Sequence, residues 1–297
     1  MFNKSIFRAG FAAVTFYSAL VFSPVAWGLE AVVADVQKIN DSRTTELVVW
    51  QRADNPDVFI FDFPNLTSQG LSFNRVMQQK EQQGVEAYPR VLTNLELAKH
   101  IAAVQRTSAD FAFGHDILVN EFVQFFNLAD RDKIDLNPEE ITLRDFLMSQ
   151  GLIKVWRGIY QSLKPNVVIL SIPQVQEKRE NEPRISAKSR FAILSHEMAH
   201  AEFFTNTAYA TYCRRFWSDT LSNEQRALFS KFLTNYNYRA LSDELVVNEM
   251  QAYLMFTPDE SSFSAKKLGV NDEDLATMRN DFRKGRPPTL LSLGARE

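Results

Sequence analysis

Residues 185 to 206, Ile-Ser-Ala-Lys-Ser-Arg-Phe-Ala-Ile-Leu-Ser-His-Glu-Met-Ala-His-Ala-Glu-Phe-Phe-Thr-Asn, decide how the chain is read. They contain His196-Glu197-Met198-Ala199-His200, a His-Glu-x-x-His pattern. On a helix, residues four apart lie one above the other, so both imidazoles can reach one metal ion. Glu197 lies beside them, where a carboxylate can take a proton from a metal-activated water. Phe191, Ile193, Leu194, Met198, Ala199 and Ala201 are apolar, and no Pro or Gly interrupts the chain between Pro183 and Pro258. A helix is therefore expected here.

Two histidines do not complete a catalytic zinc site, which usually has three protein ligands and an open position. His100 and His115 lie far upstream. The metzincin completion would need Gly at 203 and His at 206, and these positions hold Phe203 and Asn206. Glu202 is turned roughly 200° around the helix from His200, away from the metal. Glu249 and Glu244, on a later helix expected to begin at Ser242, remain. Glu249 is the first choice because Ala252, a small residue three places on, permits close helix approach; Glu244 is the alternative. His196, His200 and Glu249 are thus the expected ligands of one Zn2+ per chain, with Glu197 as general base.

Along the rest of the chain, Glu46–Gln51 and Asp57–Phe63 read as strands joined by Asp54-Asn55-Pro56. Leu71–Gln83 and Leu95–Val104 read as helices, as does Ile117–Phe126. Asn137-Pro138-Glu139-Glu140 is a helix start, with a capping side chain, Pro at the first position and acids in the first turn. Lys154–Leu163 reads as a further helix. Val167–Ile172 is an apolar strand that could hold a substrate backbone by strand addition or be plain core. Residues 174–184 read as a solvated loop. Helices are expected at Ser222–Tyr236, from Ser242 to Phe256 and at Leu275–Phe282. The fold class is α+β, mostly helical with a small β-sheet. Residues 29–165 form an N-terminal region without a chemical motif and 166–297 the metal-binding region, the two expected as one compact unit.

Composition sets limits. The chain has 297 residues, 45% of them hydrophobic and 23% charged, which is ordinary for a globular protein. A formal net charge of -3 argues against nucleic acid as the main partner. Residues 1–28 read as an export signal: Lys4 and Arg8, an apolar run over 9–22, and Ala26-x-Gly28 as a cleavage point. A periplasmic or secreted protein is expected, without a stable membrane span after cleavage. An uncleaved N-terminal anchor is the alternative. The single cysteine, Cys213, excludes an internal disulfide and Cys-rich zinc sites; it reads as a small buried apolar side chain.

His196 to His200 together with Asn248-Glu249-Met250-Gln251-Ala252 resembles the zincin metallopeptidases of the gluzincin type, whose third ligand is a glutamate on a later helix. The second segment is similar to the Glu-x-x-Ala-Asp segment of the heat-shock and CAAX-prenyl-type peptidases, but Tyr253 stands in place of the Asp that orients a ligand histidine. The resemblance implies a zincin-like domain that hydrolyses the peptide bonds of a protein or peptide substrate. It also implies an oxyanion-stabilising donor, for which Tyr209, Tyr212, Tyr236, Tyr238 and Tyr253 are candidates. The alternatives are a zinc hydrolase of another amide, such as one in the cell wall, and a non-catalytic exported binding or chaperone-like protein on the same scaffold.

Overall fold

In a computed structural model, described for residues 28–81, 89–235 and 242–291, a five-stranded mixed sheet lies between two sets of helices. The expected export signal falls almost wholly outside the described residues, as do Tyr236 and Tyr238. The elements in order are β1 (Ala31–Ala34), α1 (Val36–Asp41), β2 (Val48–Arg52), β3 (Val58–Phe63), α2 (Leu66–Glu81) and α3 (Asn94–Ala103). Then come β4 (His115–Leu118), α4 (Val119–Asp132), α5 (Pro138–Ser149), β5 (Ile153–Trp156), β6 (Ile159–Ser162) and β7 (Val168–Pro173). The chain closes with α6 (Ala187–Thr205), α7 (Thr207–Arg215), α8 (Asn223–Asn235), α9 (Asp243–Phe256), α10 (Ala265–Leu268) and α11 (Asp272–Gly285). This is the expected α+β fold, mostly helical with a small sheet. Among the described residues, no helix is long and apolar enough to cross a membrane.

The sheet runs β1-β2-β3-β7-β4, with β3 and β7 parallel and β7 and β4 antiparallel. Alternation along each strand divides the core in two. Phe59, Phe61, Phe63, Ile117 and Ile169 face α2, α4 and α5 with Phe73, Phe122, Phe126 and Phe146. Ile60, Leu170 and Ile172 face the other side with Leu194, Met198, Ala252 and Phe282. The abundant phenylalanine is thereby used on both faces, in edge-to-face pairs such as Phe61–Phe146 and Phe216–Phe282.

Three expectations need correction. Ile117–Phe126 is not one helix: β4 ends at Leu118 and α4 begins at Val119 with no intervening turn. Lys154–Leu163 is not a helix but the β5–β6 hairpin. Arg157 and Gly158 both have positive φ (52° and 76°), as a two-residue hairpin turn demands. The 174–184 loop is not wholly solvated, because Gln174, Gln176 and Glu182 are buried, with Gln176 bridging to Ile185 and its side chain bonded to Glu182 (3.0 Å). The strand at 168–173 is real but interior, paired with β3 on one side and β4 on the other. Its backbone is therefore used up, which favours the plain-core reading of this strand over substrate binding.

Candidate metal centre

The helix carrying the motif starts at Ser186, whose hydroxyl caps Ser189 N (3.0 Å). Arg190, one turn later, is fully buried and fastens α6 to the sheet. It makes two bonds to Asp62 on β3 (2.7 and 2.8 Å), and others to the carbonyls of Pro173 and Ile39 (both 2.7 Å). Trp50 Nε1 donates to the same carboxylate (3.1 Å). A bidentate pair with its remaining donors satisfied is the form in which a buried ion pair is tolerated. It fixes the position of α6 against β3 and β7, and so the height at which the histidines stand.

α9 is capped by Ser242 and packs along α6, with Ala252 fully buried. This brings Glu249 to the histidines. Its Oε2 is 3.5 Å from His196 Nε2 and its Oε1 is 3.7 Å from His200 Nε2. The two histidine Nε2 atoms are 3.0 Å apart. The three side chains form a buried group that can hold a metal ion. Glu244 lies elsewhere, exposed and paired with Arg214, with Nε 2.9 Å from Oε2. Glu202 points to the far end of α6, where it accepts from Asn206 Nδ2 (2.7 Å) and Leu290 N (3.3 Å). His115 is buried on the opposite face of β4, stacked on Phe73 and bonded to Ser171 (2.7 Å). His100 packs edge-on against Phe111.

The partners that orient the ligands come from α9 and the residue after it. His200 Nδ1 meets Asn248 Oδ1 (2.9 Å), which also accepts from Gln251 Nε2 (3.2 Å). Gln251 Oε1 in turn accepts from Tyr209 OH (2.7 Å). His196 Nδ1 meets Thr257 Oγ1 (2.8 Å), whose own proton goes to Ala252 O (3.0 Å). A hydroxyl that has spent its one proton can only accept, and so can the Asn carbonyl. The network therefore assigns the proton of each imidazole to Nδ1 and leaves a lone pair on each Nε2. Asn248 and Thr257 thereby fix the orientation of the two rings. Tyr253 packs its ring edge-on against His196, 4.6 Å between centroids. Tyr209 and Tyr212 are turned away, the latter donating to Phe282 O (2.6 Å).

These observations test whether a metal fits. Two lone pairs face each other at 3.0 Å, beside a buried carboxylate oxygen, Glu249 Oε2, with no hydrogen-bond partner. Burial lowers the proton affinity of His196, so a proton is a poor bridge there. Burial opposes ionisation of Glu249, but His200 and His196 hold its carboxyl below the usual carboxylate range. A cation between the three groups resolves the conflict. The Nε2 atoms are 3.0 Å apart, and each lies 3.5 or 3.7 Å from a different oxygen of Glu249, near the ~3.3 Å between ligand atoms about 2.0–2.1 Å from a tetrahedral zinc.

Glu197 faces the end of β4. A Cβ placed on Gly114 would come within 2.6 Å of Glu197 Cδ and 2.8 Å of its Cγ, so the glycine leaves the space that the carboxylate fills. Asp116, two residues on, lies on the same face of β4, and its carboxylate groups with Glu197 and His200. Burial first, then the charges of Asp116 and Glu249, hold the Glu197 carboxyl well above the usual carboxylate range. Lys80 from α2 offsets part of this negative charge. Its Nζ donates to Asp116 O (2.7 Å) and lies 3.6 Å from Asp116 Oδ2 and 3.4 Å from Glu121 Oε2. β4, Asp116 and Lys80 were not foreseen from the sequence; Gly114 before an apolar run was the only signal. Cys213 is buried as expected, its thiol pushed up to about 12 by burial, and takes no part.

No family model matches the chain, and neither the curated proteins nor the solved structures contain a match to it.

Proposed function

We propose that the chain is a zinc-dependent metallopeptidase. The observation that carries the proposal is the convergence of His196 Nε2, His200 Nε2 and the buried Glu249 carboxylate, with Glu197 directly alongside. His196, His200 and Glu249 would hold the ion; the donor set of two imidazoles and one carboxylate suits zinc. A bound zinc ion supplies Lewis acidity to an attacking water and to the scissile carbonyl.

The chain's own groups do the rest. Glu197 accepts a proton from the attacking water and passes it to the leaving amine. Asn248 and Thr257 keep the imidazoles in the tautomer that presents Nε2. Gly114 leaves Glu197 room beside the reacting atoms. With an export signal expected at residues 1–28, the activity is placed outside the cytoplasm.

The test joins metal analysis to one substitution. The purified chain is expected to carry roughly one zinc, and Glu197→Gln to keep the metal but lose peptide hydrolysis. Metal-free protein purified without chelators, or undiminished hydrolysis by Glu197→Gln, refutes the proposal. Loss of peptidoglycan amide cleavage without loss of casein digestion would reassign the substrate.

A further inference from the structure

We infer that the β5–β6 hairpin is a docking element for an anionic phospholipid surface. Its residues pair as Ile153↔Ser162, Lys154↔Gln161, Val155↔Tyr160 and Trp156↔Ile159. Alternation gives the hairpin two faces. Ile153 and Tyr160 point inward: Ile153 is buried, and the Tyr160 ring packs on Phe126 of α4, 5.3 Å between centroids. Asn127 clamps the hairpin from the same helix, exchanging bonds with Tyr160 O (3.0 Å) and Tyr160 N (2.9 Å). Lys154, Trp156, Ile159 and Gln161 form the opposite face.

Next to the turn, that outward face is apolar where a soluble surface strand should be polar. Trp156 is 52% exposed and its cross-strand partner Ile159 56%. Leu163, just past the hairpin and in step with Ile159 and Gln161, is 48% exposed. A lone exposed apolar side chain needs no explanation, but Trp156, Ile159 and Leu163 on one side form a patch. The charge within this stretch of the chain has one sign. Lys154, Arg157 and Lys164 are basic, and no Asp or Glu occurs between Asp145 and Glu177, in a chain whose net charge is -3. Arg157 takes a positive φ at the turn and lays its guanidinium over the Trp156 ring, 4.4 Å from the centroid. An aromatic and aliphatic face that carries Lys154, with Arg157 laid over its Trp, matches a lipid interface. Trp settles at headgroup depth, and Lys and Arg meet the phosphates.

A second copy of the chain is a poorer occupant. The hairpin offers two strands of four residues each, against about 20–30 residues a side in a stable interface, and its own basic charge would face itself. The hairpin packs on the α4 face of the sheet, whereas His196 lies on the α6 face. The inference therefore stands apart from the proposed hydrolysis.

The experiment is co-sedimentation of the full-length protein with vesicles of phosphatidylglycerol and phosphatidylcholine, against vesicles of phosphatidylcholine alone. Any binding through residues 1–28 is common to all arms, so the differences between variants are read. Wild type is expected to prefer the anionic vesicles, and Lys154→Glu with Arg157→Glu to lower that partition by at least about tenfold. Trp156→Ser with Ile159→Ser is expected to lower it by about tenfold. These side chains are exposed, so both double variants should keep the wild-type circular dichroism spectrum and melting temperature. Equal partition of wild type on the two vesicle types, or wild-type partition by both double variants, overturns the inference. So does a dimer in sedimentation velocity that Trp156→Ser dissolves, since the patch would then be a contact between copies.

Discussion

Replacing Asn248 by Ala should weaken metal binding without touching a ligand. The side chain is 5% exposed, and its Oδ1 is the acceptor for His200 Nδ1 at 2.9 Å. In the metal-free variant the ring can move its proton to Nε2, which faces Glu249 Oε1 at 3.7 Å. In the metal-bound state it cannot, because Nε2 is committed to the ion. Nδ1–H is then left buried without an acceptor. The cost therefore falls on the bound state alone and does not cancel. An unmet buried donor costs about 1–3 kcal/mol, in line with the 10- to 100-fold losses usual for such orienting partners, about 1.4–2.7 kcal/mol. A competition titration against a chromophoric zinc chelator at neutral pH measures this directly. Thr257→Val is the internal comparison: the His196 side chain is 13% exposed against 2% for His200, so water can replace the lost acceptor and the drop should be smaller. Zinc affinity of Asn248→Ala within about twofold of wild type would show that the network does not set the tautomer.

Other outcomes follow from the same geometry. Gly114→Ala should push the Glu197 carboxylate aside by about an ångström, lowering kcat roughly 100-fold while zinc content stays at the wild-type level; wild-type kcat would mean that the end of β4 yields instead. Glu249→Ala should abolish tight zinc binding as judged by metal analysis, whereas Glu244→Ala should leave it unchanged, because Glu244 pairs with Arg214 at the surface. His115 gives a pH signature: burial is the main cause that takes it down to about 3 from its ordinary value near 6.5. Its folded-state value lies below the unfolded one, so the unfolded chain binds the extra proton. Stability is then full above about pH 6.5 and declines as pH falls toward 3, by up to ~1.4 kcal/mol per unit from this group. Urea midpoints between pH 7 and 4 should fall less steeply for His115→Gln; an unchanged slope would assign the acid sensitivity to other groups.

The sequence by itself determined the metal helix and most of its companions. His196 and His200 share a helix face because the period of a helix is set by local hydrogen bonding, and no Pro or Gly breaks the run. Asn137-Pro138 and Ser242 announce helix starts through capping chemistry that acts within three residues. Glu249 could be preferred over Glu244 because Ala252 marks a close helix approach, another local signal. What the sequence could not determine was anything that depends on which segments meet across the fold. The histidine partners Asn248 and Thr257 are 48 and 61 residues from their rings, a distance that no periodicity spans. β4 was hidden because a four-residue strand runs into a helix without a turn, and its apolar residues fit either period. β5 and β6 were hidden by the same ambiguity, although Arg157-Gly158 carried the turn. Only the assembled sheet puts β7 in the interior and β4 at the edge. That placement brings Gly114 and Asp116 to Glu197, and makes two histidines on one helix and a glutamate on another into one buried group that could hold a metal ion.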